Sequence, residues 1–127
     1  VIGLLSDRKY ADITFDTDAN PEANIVSKAQ QYIHLHYAEP VSLAWIAEEI
    51  GVSPNYLSTL FRREYDQSPR EYLRKVRMNQ AKLLLATTEY SISDISSDVG
   101  YTNPFQFSKV FKSCYGISPT EYRNMRQ

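Results

Sequence analysis

The chain has 127 residues, 43% of them hydrophobic and 23% charged, with four glycines and six prolines. That composition excludes disorder and collagen-like repeats and fits a globular protein of one domain or two very small ones. The net charge of -1 hides an asymmetry, because residues 1–39 carry three basic and six acidic side chains while residues 40–127 carry eleven and nine, so an anionic partner must meet a local patch and not a globally basic surface.

Residues 1–20 show no sustained period of 3.6 or 2 and are read as a linker or the remnant of an upstream domain. A first helix is predicted from Asn20-Pro21, a capping residue followed by proline at the first helical position, with Ile25, Ala29, Tyr32, Ile33 and His36 along one face. Glu39-Pro40 should end it, since the residue before proline is pushed out of the α region.

From Ser42 onward the chain repeats itself. At an offset of 49, Ser42, Leu43, Ile46, Ile50 and Gly51 fall on Ser91, Ile92, Ile95, Val99 and Gly100. After a one-residue insertion, at an offset of 50, Leu57, Ser58, Leu60, Phe61, Tyr65, Ser68, Pro69, Glu71 and Tyr72 fall on Phe107, Ser108, Val110, Phe111, Tyr115, Ser118, Pro119, Glu121 and Tyr122. Each copy predicts a short helix stopped by glycine (Gly51, Gly100), then a second helix capped by Ser53 or Thr102. The second helices should bury Leu57, Leu60, Phe61 and Tyr65, or Phe107, Val110, Phe111 and Tyr115. Ser68-Pro69-Arg70-Glu71 and Ser118-Pro119-Thr120-Glu121 are capping boxes that open further helices, the first preceded by Asp66 where the second has Gly116. The helix from Pro69 meets no breaker until about Ala86, which gives a rod of ~27 Å.

The expected architecture is therefore all-α. Two helix-turn-helix subdomains, over residues 21–68 and 88–127, are joined by a linker helix over 69–87. A tight helix-turn-helix can lay its second helix in the major groove of duplex DNA, and two such helices on a rod of this length can enter successive groove segments. The faces opposite the buried stripes carry Asn55, Ser58, Thr59, Arg62 and Arg63 in the first copy and Asn103, Phe105, Gln106, Lys109 and Lys112 in the second. Amides suit adenine, and lysine suits guanine. Arg62, Arg63 and Lys112, with the helix starts at Ser53 and Thr102, suit phosphates. Arg70, Arg74, Lys75 and Arg77 on the rod are either phosphate neighbours or a solvated face.

The stretches Ser53-Pro54-Asn55-Tyr56-Leu57-Ser58-Thr59-Leu60-Phe61-Arg62 and Gly100-Tyr101-Thr102-Asn103-Pro104-Phe105-Gln106-Phe107-Ser108-Lys109-Val110-Phe111-Lys112, with Gly116-Ile117-Ser118-Pro119-Thr120-Glu121-Tyr122-Arg123, resemble the DNA-binding domain of AraC/XylS-type transcription regulators over residues 22–127. Residues 22–62 lean toward the output domains of response regulators. The resemblance implies a seven-helix fold, sequence-specific binding of double-stranded promoter DNA in bacteria, an upstream sensor or receiver domain, and RNA polymerase as a partner. It also implies that Asn55, Ser58, Thr59, Asn103, Phe105, Gln106 and Lys109 occupy base-reading positions. Lys109 stands where the family usually has arginine, and Thr59 is shorter than the common arginine.

The sequence carries no positive signal for catalysis, a cofactor or a metal. His34 and His36, two apart on a helix, point in different directions, and Cys114 is expected as a half-buried packing residue. The longest apolar run, Leu83-Leu84-Leu85-Ala86, is far short of the ~20 residues that cross a bilayer, so no membrane partner is expected. Nor does the single cysteine suggest a secreted disulfide scaffold, which leaves a cytoplasmic setting as the expectation. A chain starting at Val1 is expected to be a piece of a longer protein. The competing reading is a helical module whose exposed faces dock on RNA polymerase or a partner regulator.

Overall fold

The computed structural model describes residues 20–126, so all but the last residue of the 1–20 linker lies outside the described residues. Seven helices follow in order: α1 (Pro21–His36), α2 (Leu43–Ile50), α3 (Pro54–Tyr65), α4 (Pro69–Thr87), α5 (Ile92–Asp98), α6 (Pro104–Tyr115) and α7 (Pro119–Asn124). Polar caps delimit them: Asn20, Ser42, Ser53, Ser68, Ser91, Asn103 and Ser118 each accept a backbone N–H of the helix they precede. Both expected capping boxes form, with Glu71 and Glu121 reaching back to the backbone N–H of Ser68 and Ser118 at 2.7 and 2.8 Å.

The breakers act close to where the sequence puts them. Gly51 closes α2 with φ +93°, and Asp66 closes α3 in the same left-handed region at φ 57°. α5 ends on Val99 with Gly100, at φ +103°, one position beyond. α1 stops at His36, three residues before Glu39, and a turn bonded from the Glu39 N–H to the His36 carbonyl carries the chain to Pro40.

Two apolar cores result. The first gathers Val26, Ala29 and Ile33 of α1, Ile46 and Ala47 of α2, Leu57, Leu60 and Phe61 of α3, and Leu73 and Val76 of α4. The second gathers Met78, Ala81 and Leu85 of α4, Ile95 and Val99, and Phe107 and Phe111 of α6. Tyr65, expected inside, is 42% exposed, and Val110 and Tyr115 are half-buried. The buried line of α1 centres on Val26 where Ile25 was expected, with Ile25 and Tyr32 packed at its edge.

α4 departs most from expectation. It is not a free rod between two units, because its first half is buried in one core and its second half in the other, the change falling between Val76 and Met78. Its C-terminal end is tied down from the residues just after α7: the guanidinium of Arg126 donates to the carbonyls of Leu85 and Thr88 at 2.9 and 2.7 Å, satisfying acceptors that a helix end leaves open.

Candidate nucleic-acid interface

α3 and α6 are built alike. Each begins with proline after its cap, buries one stripe into its core and leaves the opposite side to solvent. With 3.6 residues per turn, Asn55, Thr59 and Arg62 share the arc opposite Leu57, Leu60 and Phe61, and Phe105, Lys109 and Lys112 share the arc opposite Phe107 and Phe111. All six are exposed, Phe105 to 85%. At that exposure the Phe105 ring does not pack beneath the turn. A bare phenyl ring in water at the first turn of a helix is a ready contact for an apolar or stacking partner.

The rest of the expected residues divide. Ser58 is half-buried on the flank of the α3 arc. Gln106 is exposed, but together with Val110 it lines a cleft whose other walls include Ser42, which caps α2, Leu43 and Ile46 of α2, and Arg70, Arg74 and Arg77 of α4. It therefore faces the gap between the lobes from the flank of α6. Arg63 lies on the opposite flank of α3 from Ser58, and its Nη2 donates to Glu22 Oε1 of α1 at 2.6 Å, which pushes the guanidinium pKa upward. Tyr56 joins the same carboxylate at 3.4 Å. Arg62 is held more loosely, 3.4 Å from a Glu71 oxygen that already accepts from the Ser68 backbone, and remains largely exposed.

Thr102 does not cap α6. Asn103 does, its side-chain oxygen accepting from the N–H of Phe105 at 2.9 Å and of Gln106 at 3.3 Å. The second turn is one residue longer than the first, so the position matching Ser53 is Asn103, and Thr102 is an exposed turn residue. Asn103 was expected to present both amide groups to a base, but its oxygen is committed to the cap and only the NH₂ group is available as a donor.

Two further expectations change. Cys114 is exposed where a half-buried residue was expected. Arg77, read as either a phosphate neighbour or a solvated side chain, is half-buried with its Nε and Nη2 on backbone carbonyls of the first lobe. No sequence pattern announced these bonds, since their acceptors are main-chain atoms about forty positions away. His34 and His36 point to separate partners, Tyr72 and Glu39. No helix among the described residues is long and apolar enough to cross a membrane.

Comparison with known proteins places this geometry. The family described as "Helix-turn-helix domain" matches residues 46–125. The arabinose operon regulatory protein of Escherichia coli is 40% identical over 104 residues, a match that covers 81% of this chain and 36% of that protein. Among solved structures, the C-terminal domain of AraT, a response regulator from Geobacillus stearothermophilus, superposes with a TM-score of 0.79 at 40% identity, covering 81% of this chain and 86% of that one. The DNA-binding domain of the transcriptional factor AdpA, solved in complex with a target DNA, superposes with a TM-score of 0.69 at 27% identity, covering 82% and 90%. The chain thus spans about a third of the length of the curated relatives it matches.

Proposed function

Since the chain belongs to the AraC-type helix-turn-helix family of transcription regulators, we propose that it binds double-stranded DNA sequence-specifically, with α3 and α6 in successive segments of the major groove. The observation that carries this is the pair of exposed arcs at equivalent positions of two copies of one unit, each backed by a packed core. The family is one of DNA-binding regulators and not of enzymes.

In this reading Asn55 and Thr59 of α3, and Phe105 and Lys109 of α6, meet base edges. Lysine donates to guanine O6 or N7, the asparagine amide suits adenine, and the ring of Phe105 suits a thymine methyl. Ser58 and Gln106 assist from the flanks, and Asn103 contributes one NH₂ donor beside its cap. Arg62 and Lys112 hold phosphates, supported by the backbone N–H groups at the starts of α3 and α6 near Ser53 and Thr102. Arg63 contributes less, because Glu22 already neutralises it.

The wider setting is proposed in the same terms. A receiver or sensor domain precedes residue 20 in the full-length chain, the site of action is a bacterial promoter in the cytoplasm, and RNA polymerase is the partner that responds. A helical module that only docks on proteins is the weaker reading, because the relatives are operon regulators and a structural neighbour is seated on DNA.

Selection of bound sequences from a random duplex pool, followed by a salt titration on the winner, tests the proposal. Neutralising phosphates releases counterions, so log affinity should fall linearly with log salt, by ~0.9 per phosphate contact. An affinity indifferent to salt, or no better for the winner than for random duplex, overturns it.

A further inference from the structure

The two lobes meet at Arg77. Its side chain leaves α4 where the helix passes from one core to the other, and it touches both lobes at once. Toward the first lobe, Nε donates to the carbonyl of Tyr37 at 2.7 Å and Nη2 to that of Glu39 at 2.8 Å. Toward the second, the guanidinium carbon stands 5.5 Å from the centroid of the Tyr101 ring. Tyr37, at the end of α1, packs against both cores. Gly100 closes the joint: at φ +103°, a Cβ there would stand 2.8 Å from the Tyr37 oxygen and 2.9 Å from Arg77 Nε. Only a residue without a side chain lets the turn of the second lobe come this near to the first.

A bidentate guanidinium is a stiff connector. Its planar fork fixes direction as well as distance, and burial strengthens its hydrogen bonds relative to water. The carbonyls of Tyr37 and Glu39 lie in the turn after α1, outside any helix ladder, and although Glu39 also accepts from the Val41 N–H at 2.7 Å, Arg77 is the side chain that ties both carbonyls to α4. The two recognition helices belong to different lobes, and their relative setting passes through this joint.

Resting on the DNA reading above, we propose that Arg77 is a positioning residue that sets the separation and rotational phase at which α3 and α6 meet the duplex, with Gly100 as the backbone seat that lets it do so. Arg77 then determines which spacing between two half-sites the chain accepts, without touching a base. Two modules held at a fixed separation gain effective concentration only for targets that match it, and a loosened joint forfeits that gain.

The test compares the parent chain with Arg77→Met and Gly100→Ala on three duplexes carrying the selected sequence: one half-site alone, both at the selected spacing, and both with two base pairs inserted. Pulsed EPR distances between nitroxides on Cys114 and on a cysteine introduced by Lys28→Cys report the lobe arrangement without DNA. For both variants, half-site affinity should stay within about twofold of the parent, affinity for the full site should fall about tenfold or more, and the insertion penalty should largely vanish. The distance distribution should broaden. Retained spacing preference overturns the proposal, as does an equal loss on half-site and full site, or unfolding of both variants, which would make the joint a stability element only. If the parent itself prefers neither the full site nor the selected sequence, it is the DNA reading that fails. The EPR distribution still decides the joint: broadening supports it, and an unchanged width overturns it.

Discussion

At the scale of single residues, side chains of the same type do different work according to which arc of the helix they occupy. Lys109 and Arg62 both sit on exposed arcs, but one faces the proposed base edges and the other is a turn further along, toward phosphate. Lys109→Ala should relax discrimination at one or two base pairs by ~1–3 kcal/mol, whereas Arg62→Ala should weaken every duplex alike and lower the salt slope by about one, both measured by fluorescence anisotropy. Asn103→Ala removes the cap of α6, and thermal melting should show a loss of ~1 kcal/mol even without DNA. That last residue marks where the sequence misleads. The Gly-to-cap spacing of the first turn, carried over to the second, points to Thr102, and only the one-residue insertion, which the repeat comparison already contains, moves the cap to Asn103. Arg77 was not legible at all as a joint residue, because a main-chain acceptor forty positions away carries no residue type that a pattern could show.

At the scale of elements, most helix starts were legible because five of the seven are written locally as a polar cap followed by proline, two of them with a glutamate three positions after the cap, while α2 and α5 carry only a serine cap. The two capping boxes also make the fold acid-sensitive. Backbone hydrogen bonds from Ser68 and Ser118 hold the carboxyls of Glu71 and Glu121 below the ordinary glutamate range, with Arg62 and Lys112 adding to the effect. A carboxyl depressed in the folded chain stabilises it fully above its unfolded value of about 4.3, and that contribution is lost as pH falls through the lower folded value. Glu71→Gln and Glu121→Gln keep a hydrogen-bonding side chain without a titrating proton, so urea melts should separate parent from variant at pH 7 and draw them together progressively as the pH falls below the unfolded glutamate value of about 4.3. Helix interiors were legible from period, but depth was not. Tyr65 satisfies the pattern yet stays at the rim, its hydroxyl donating to Gln30 at 2.9 Å, because a phenol retains its polar end at the surface. Phe111, by contrast, is fully buried, and Phe111→Ala should cost ~3–5 kcal/mol in chemical denaturation.

At the scale of the whole molecule, the sequence made two repeats visible and left their union obscure. An uninterrupted helical period over 69–87 looks the same whether the helix floats between lobes or lies embedded in both, and only the burial of Leu73 and Val76 on one side and of Met78, Ala81 and Leu85 on the other separates the cases. Embedding makes the lobes thermodynamically dependent, since melting either core strips partners from the same helix. Calorimetry should therefore show a single transition whose van't Hoff and calorimetric enthalpies agree, and not two steps.

The shared helix also dictates how the chain must be divided by anyone who wishes to re-engineer it. Loops are the customary places to cut and join, yet a hybrid spliced in the loop after Tyr65 or after Thr87 would marry a lobe to half a beam shaped for a stranger. The sound seam lies in the middle of α4, between Val76 and Met78, where each donor brings its own side of the wall and the graft need reconcile only the single residue standing in the doorway.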